Sequence, residues 1–237
     1  MTVSVHTMRA GQLDRVLGRP ALVRQPSLYS VTRYQRHMIA LAIKSFSDKI
    51  IATVALIALS PILALITVAI VLGDGGPELF TQTRVGKDGQ PFRMFKFRTM
   101  VPDAELRKEA LLPQDEGDGV LFKMRKDPRI TTIGGWLRRW SLDELPQLLN
   151  VVLGEMSLVG PRPSLPVEVA LFSDDVTRRL AVKPGITGLW QINGRSDLSR
   201  EDAVQLDLRY VDNWTLALDL EILWKTFEAV ASGRGAY

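Results

Sequence analysis

Residues Ile50 to Leu72 read I-I-A-T-V-A-L-I-A-L-S-P-I-L-A-L-I-T-V-A-I-V-L, 23 positions without a charge. That run clears the length a helix needs to cross a bilayer and is long for a buried helix of a soluble domain. Ser60 and Pro61 stand at its middle. The proline removes one backbone donor, and the serine hydroxyl is placed to pair with a freed backbone group. Cut there, each arm is roughly 16 Å of helix, too short for a hydrocarbon core of roughly 30 Å. The run reads either as a kinked span or as a re-entrant hairpin that enters and leaves one leaflet. Arg33, Arg36, Lys44 and Lys49 precede it; Arg84, Lys87, Arg93, Lys96 and Arg98 follow. Basic flanks collect on the cytoplasmic side, so charge at both ends favours the hairpin, although a folded domain's own charges weaken that rule.

Outward from this segment the chain divides unevenly. Residues 1–40 mix Gly, Pro, Ser and Arg without a sustained period and read as an extension, flexible or loosely docked. They lack the pattern of a secretory leader, which favours a cytosolic start. Residues 41–73 are the membrane segment, and 74–237 carry enough periodic sequence for one catalytic domain. The net charge of +4 suits anionic partners. There is no cysteine, and both histidines, His6 and His37, fall in the extension. Thiolate metal sites, zinc chemistry and a Ser-His-Asp triad are therefore not expected, and any cation chemistry must run on carboxylates.

After the turn-rich exit Gly73–Pro77 the period changes to two. Leu79–Val85 and Pro91–Met100 read as strands of a hairpin joined through G-K-D-G at Gly86–Gly89. Lys96 and Arg98 share one face and Phe95 and Phe97 the other. Such a strand is either an anion-binding surface backed by a core or a solvated face. Residues 101–119 suggest a short helix and an acidic loop. G-P-R-P at Gly160–Pro163 holds Arg162 between two prolines in a stiff loop, either a fixed phosphate contact or a structural turn with an exposed arginine. Trp190 and Arg195 lie in turn-rich sequence after Lys183–Gly188, where the tryptophan can stack on a base, sit at a lipid interface or fill the core. The end is helical: Ser199 with Asp202 resembles a capping box, and Leu216–Val230 sets Leu220, Leu223, Phe227 and Val230 on one side. Trp214 and Trp224 are placed to anchor these helices at headgroups.

The chemistry concentrates in L-R-R-W-S-L-D-E-L-P-Q-L-L, Leu137–Leu149. Asp143 and Glu144 follow Arg138 and Arg139, with Pro146 behind them. A proline early in a helix puts the acids at or just before a helix N-terminus, whose partial positive charge favours the ionised form. An ionised carboxylate beside cations suits attack on a phosphate. The same residues also fit a capping box, Ser141 with Glu144, in which the glutamate does no chemistry.

From about Lys44 to the end, the chain resembles the bacterial sugar transferases, the monotopic polyprenyl-phosphate phosphoglycosyl transferases. The resemblance is carried by K-S-F-S-D at Lys44–Asp48, S-P at Ser60–Pro61, F-K-F-R-T-M at Phe95–Met100 and D-P-R-I-T at Asp127–Thr131. It continues through S-L-D-E-L-P-Q-L at Ser141–Leu148, M-S-L-V-G-P-R-P at Met156–Pro163 and K-P-G-I-T-G-L-W-Q-I-N-G-R at Lys183–Arg195. Y-V-D-N-W at Tyr210–Trp214 and a G-A-Y ending complete it. Ser45 departs from the pattern, which often has arginine there.

The resemblance implies an α+β protein: a membrane re-entrant helix broken at Ser60-Pro61, then a mainly helical cytosolic catalytic domain with a small β-hairpin. It implies transfer of a sugar-1-phosphate from a UDP-sugar to polyprenyl (undecaprenyl) phosphate with release of UMP. Asp143 would be the covalent nucleophile, Glu144 its partner associated with Mg2+, and Lys96, Arg98, Arg138 and Arg162 the phosphate-gathering cations. Trp190 and Arg195 would belong to a substrate loop. The expected setting is the cytoplasmic face of a bacterial plasma membrane, at the first membrane step of a surface polysaccharide. Membrane lipid joins both substrates as a partner, nucleic acid does not, and a homodimer is left open. The rival is a membrane-tethered basic module that binds nucleic acid or anionic lipid without catalysis.

Overall fold

Small and large apolar side chains at Ala52, Ala55, Leu56, Leu59, Leu63, Ile66 and Ile70 recur every three or four residues. In the structure they form one docking stripe along helix α1, Leu28–Asp74. The computed structural model describes residues 28–116, 122, 124, 126–194 and 198–232. The proposed character of residues 1–27 and the acidic loop around 117–121 lie outside them. Ala40–Tyr237 form a single compact unit.

Helix α1 is continuous through Pro61, so the expected break at Ser60-Pro61 is not seen as an interruption. The Ser60 hydroxyl donates to the Ile57 carbonyl at 2.8 Å. The stretch Met38–Gly73 is long and apolar enough to cross a membrane, and only 11% of its most apolar window is buried within the protein. The remainder, including Ile57 and Leu65, each 70% exposed, presents apolar surface of the kind that belongs against lipid.

Strands β1 (Leu79–Val85) and β2 (Pro91–Phe97) form the expected antiparallel hairpin, with Leu79 opposite Phe97 and Val85 opposite Pro91. The second strand stops at Phe97, short of the expected Met100. Helix α2 (Ala104–Leu111) follows, then α3 (Thr132–Arg139), whose N-cap Thr131 accepts from the Gly134 N–H at 2.9 Å. Helix α4 (Gln147–Leu153) ends at Gly154, which takes the left-handed conformation at φ 86°. Two short strands that lack any alternating signature, β3 (Ser157–Val159) and β4 (Gly185–Thr187), pair in parallel. The short helices α5 (Pro166–Val169) and α6 (Asp174–Thr177) lie between them. After β4 come α7 (Leu189–Ile192), α8 (Arg200–Asp212) and α9 (Leu216–Ser232). The architecture is mainly helical with two small sheets.

Two buried clusters hold α1 to the rest. Ala52 joins Phe92, Met94, Leu148, Val151, Met156, Leu158, Tyr210 and Ile222. Ile66 and Ile70 join Phe97 and Leu137, with Leu63, Ile133 and Leu142 packed alongside. A polar joint reinforces the first cluster. Lys44 Nζ and Trp214 Nε1 donate to Asp219 Oδ2 at 2.7 and 3.0 Å, and the Tyr210 hydroxyl donates to Oδ1 at 2.7 Å. Trp214 is thereby committed to the interior, not to the headgroups, whereas Trp224 is 69% exposed. Leu220 and Phe227 face outward with Trp224, while Asp219 and Ile222 face in.

Candidate active site

The dyad stands where α3 hands over to α4. Gly134 packs α3 so closely on Thr99 that a Cβ there would meet the Thr99 carbonyl oxygen at 2.1 Å, and this contact brings Arg138 Nε to Thr99 Oγ1 at 2.9 Å. The chain then reverses at Ser141, a non-glycine residue at φ 54°, a conformation that stores local strain. Leu142–Glu144 form one 3-10 turn before Pro146, the N-cap of α4. Leu142 anchors this turn in the cluster that contains Ile66 and Ile70, so the membrane helix itself supports the acids.

This geometry departs from the capping-box reading of S-x-x-E. The Ser141 side chain makes no cap hydrogen bond. The Glu144 carboxylate instead accepts from Lys96 Nζ at 2.7 Å, across 48 residues of sequence. Asp143 is buried. Burial raises its carboxyl above the ordinary range, and Glu144 adds to that, while Lys96 and Arg138 pull it back. Desolvation outweighs the cations in this balance. Burial likewise lowers the Arg138 guanidinium, with Asp143 opposing.

Arg98 departs from the expected arrangement. It follows the end of β2, is buried, and lies over Gly76, so it does not share an open cationic face with Lys96. Arg162 is 38% exposed at its side chain, with its guanidinium 5.7 Å from the Trp190 ring and Nη1 3.7 Å from Glu168 Oε1. Its loop is held from behind, because Gly185 packs against Gly160 at a distance no side chain would permit. The Arg162 carbonyl accepts from Arg179 Nη2 at 3.4 Å, and its backbone N–H helps hold the charge of Asp207. Arg179 and Asp207 form a tight ion pair. Arg195 lies outside the described residues.

Arg84 is a residue that sequence reasoning counted only as a flanking charge. It is buried, donates to the Pro163 carbonyl at 3.0 Å, and feels Arg162, Glu168 and Glu144. Burial and Arg162 bring its guanidinium down to about 10. It thus links the dyad electrostatically to the Arg162 loop. Its position on a two-residue alternation, facing the core, was the available signal.

Among the described residues no three His, Asp or Glu side chains gather into an all-protein metal cage. One or two carboxylates without histidine or cysteine is still a donor set that fits Mg2+, which completes its shell with water and substrate phosphate oxygens.

Residues 39–233 match the family described as Bacterial sugar transferase. The chain is 44% identical over 201 residues to the exopolysaccharide production protein ExoY of Rhizobium meliloti, covering 83% of this chain and 88% of that protein. It is 43% identical over 210 residues to the galactosyl transferase CpsE of Streptococcus agalactiae, covering 88% of this chain and 46% of that protein. It is 47% identical over 171 residues to the undecaprenyl-phosphate galactose phosphotransferase of Salmonella typhimurium, covering 69% of this chain and 35% of that protein. The chain thus spans less than half the length of the last two. It belongs to the bacterial sugar transferase family, a family of transferase enzymes.

Proposed function

We propose that the protein transfers a sugar-1-phosphate from a UDP-sugar to undecaprenyl phosphate at the cytoplasmic face of the plasma membrane, starting assembly of a surface polysaccharide. The observation that carries this reading is the buried Asp143 beside a Glu144 engaged by Lys96. The relatives' names supply the substrate class: one is a phosphotransferase acting with undecaprenyl phosphate and galactose, another an exopolysaccharide production protein.

In the first step an Asp143 carboxylate oxygen attacks the β-phosphorus of the donor. The bond to the oxygen bridging the two phosphates breaks, and UMP departs with the electron pair. The product is an acyl phosphate carrying the sugar. In the second step an oxygen of the lipid phosphate attacks the same phosphorus and returns Asp143 as a carboxylate, leaving a lipid diphosphate sugar. Burial strips water from the nucleophile, while Lys96 and Arg138 keep its anionic form accessible and gather charge on the transferring phosphate. Arg162, stacked near Trp190, is suited to a second phosphate contact. Glu144, with Asp143, is the residue suited to holding Mg2+, which when bound offsets diphosphate charge.

In this reading α1 is re-entrant, so both its ends lie on the cytoplasmic side. The chain has no cysteine, and single cysteines introduced at Ser4 and Asp88 test this with a membrane-impermeant thiol reagent. Both positions should react only from the cytoplasmic side, and labelling of either one from outside would sink the hairpin. The chemistry is tested by intact mass after incubation with Mg2+ and a panel of UDP-sugars, without lipid acceptor. A sugar-phosphate adduct on the wild type and not on Asp143→Asn is the expected result. No adduct, and no UMP release when undecaprenyl phosphate is added, would overturn it.

A further inference from the structure

Arg138 is held by a neutral partner. Its Nε donates to Thr99 Oγ1 at 2.9 Å, and neither Nη makes a hydrogen bond or ion pair among the described residues. The carboxylates whose charge it feels are Asp143 and Asp127, and neither closes an ion pair with it. Asp127 is committed to Arg129, which donates from Nη2 to Oδ2 at 2.7 Å and from Nε to Oδ1 at 2.9 Å. Lys96 is the opposite case, because its ammonium is already met by Glu144 at 2.7 Å.

Thr99 is itself fixed in place. It is 7% exposed, and its carbonyl accepts from the Thr131 N–H at 3.0 Å. Next to it, Met100 pairs antiparallel with Ile130, and the Val101 N–H donates to the Arg129 carbonyl at 2.9 Å. This short ladder ties Thr99 to Thr131, the residue that caps α3. Gly134 and Arg138 stand four apart and so share one face of that helix. The missing side chain at Gly134 seats the helix on the Thr99 backbone, and one turn later Arg138 meets the hydroxyl. A guanidinium held at Nε alone has its plane set while both Nη groups stay available, and that pair matches two phosphate oxygens. A carboxylate in place of the hydroxyl would hold the arginine harder but compete with phosphate for its charge.

We propose that Thr99 is a positioning residue, whose hydroxyl sets the plane of the Arg138 guanidinium so that both Nη groups are presented to the diphosphate of the nucleotide-sugar donor. Thr99 touches no reacting atom and acts through Arg138. The role rests on the preceding reading of Arg138 as a phosphate-gathering cation.

The test measures UDP binding to the full chain with Mg2+ by calorimetry in detergent, UDP serving as the diphosphate probe. Thr99→Val, which keeps the shape but sets a methyl group against the Nε–H, should weaken binding by about fivefold to tenfold. Thr99→Ser, which keeps the hydroxyl, should recover most of the affinity. In an Arg138→Gln background the valine should cost nothing further, because the group it misaims is gone. Thr99→Ala removes the hydroxyl without adding the methyl, and it repeats the reading should the valine variant not fold. Unchanged affinity in Thr99→Val and Thr99→Ala would overturn the proposal, as would a wild type that does not bind UDP. A loss of equal size with and without Arg138 would also overturn it, making Thr99 structural. The Asp143 adduct, read on the same proteins with UDP-sugars, separates the two ideas. An adduct without coupling between Thr99 and Arg138 sinks this proposal alone, and coupling without an adduct sinks only the transferase chemistry.

Discussion

Ser60 Oγ donates to the Ile57 carbonyl oxygen at 2.8 Å, and Ile57 is the residue whose acceptor Pro61, lacking an N–H, leaves without its backbone partner. In water that carbonyl would find a solvent molecule, but Ile57 is 70% exposed on the apolar surface of α1, and against lipid an orphaned polar group is costly. The serine and proline thus act as one unit, the first repairing what the second removes.

Replacing Ser60→Ala should destabilise the protein by about 1–3 kcal/mol, a Tm loss of a few degrees in lipid or detergent. Adding Pro61→Ala restores the missing N–H, so the double variant should lose less than Ser60→Ala alone. Equal losses in the two variants would mean that the hydroxyl does not serve the Ile57 carbonyl.

Lys96 and Glu144 are 24% and 36% exposed at their side chains, and an ion pair so placed contributes little to stability. Lys96→Met should therefore leave Tm nearly unchanged while lowering the rate of UMP release by about 10²–10³-fold, the usual cost of removing one preorganised transition-state donor. Lys96→Arg should recover part of the rate. A large drop in Tm without a rate defect in the folded fraction would make the lysine structural.

Asp143 carries a stability effect opposite in sign to the catalytic role proposed for it. Its native carboxyl is raised, chiefly by burial, so the folded state binds the proton more tightly than the unfolded chain. Stability accordingly falls as pH rises from the ordinary carboxylate range through the shifted native value. Asp143→Asn should abolish the sugar-phosphate adduct yet raise Tm at neutral pH, and the gain should vanish on acidification. Thermal scans of both proteins across pH read this directly.

Asp207, buried against Arg179, is pushed up to about 6, again chiefly by burial. The sign is the same: its contribution favours the fold below the ordinary carboxylate range and is lost as pH climbs through about 6. Truncation is another matter, because it strands a buried guanidinium. Asp207→Ala should cost about 3–5 kcal/mol, lowering Tm by on the order of 10 °C. Asp207→Asn, which retains a hydrogen-bond acceptor, should flatten the pH dependence with a smaller loss. It should also weaken donor binding, since the same pair steadies the Arg162 loop.

What was legible in the sequence is what neighbours within a turn or two decide. The apolar run, the hairpin at Gly86–Gly89, the Gly154 stop and the acids just ahead of Pro146 depend on local period and backbone chemistry. The structure keeps each of them. The motif blocks likewise carried the family, because a string of residues in order needs no coordinates to be recognised. Other features depend on partners far away in the chain. S-x-x-E at Ser141–Glu144 is compatible with a cap until β2 brings Lys96 to 2.7 Å. Arg98 alternates with Phe97 as an outward residue would, until β2 ends before it and Gly76 leaves it space. Arg84 looked like a flanking charge because only the fold places it between Glu144 and Arg162. Asp207 and Arg179 are surface-type residues in any propensity scale, and the packing of α8 beneath the Arg162 loop made them an interior pair. A side chain's local conformation is set by bonds to its neighbours, whereas its charge state and role are set by the long-range contacts that exclude water.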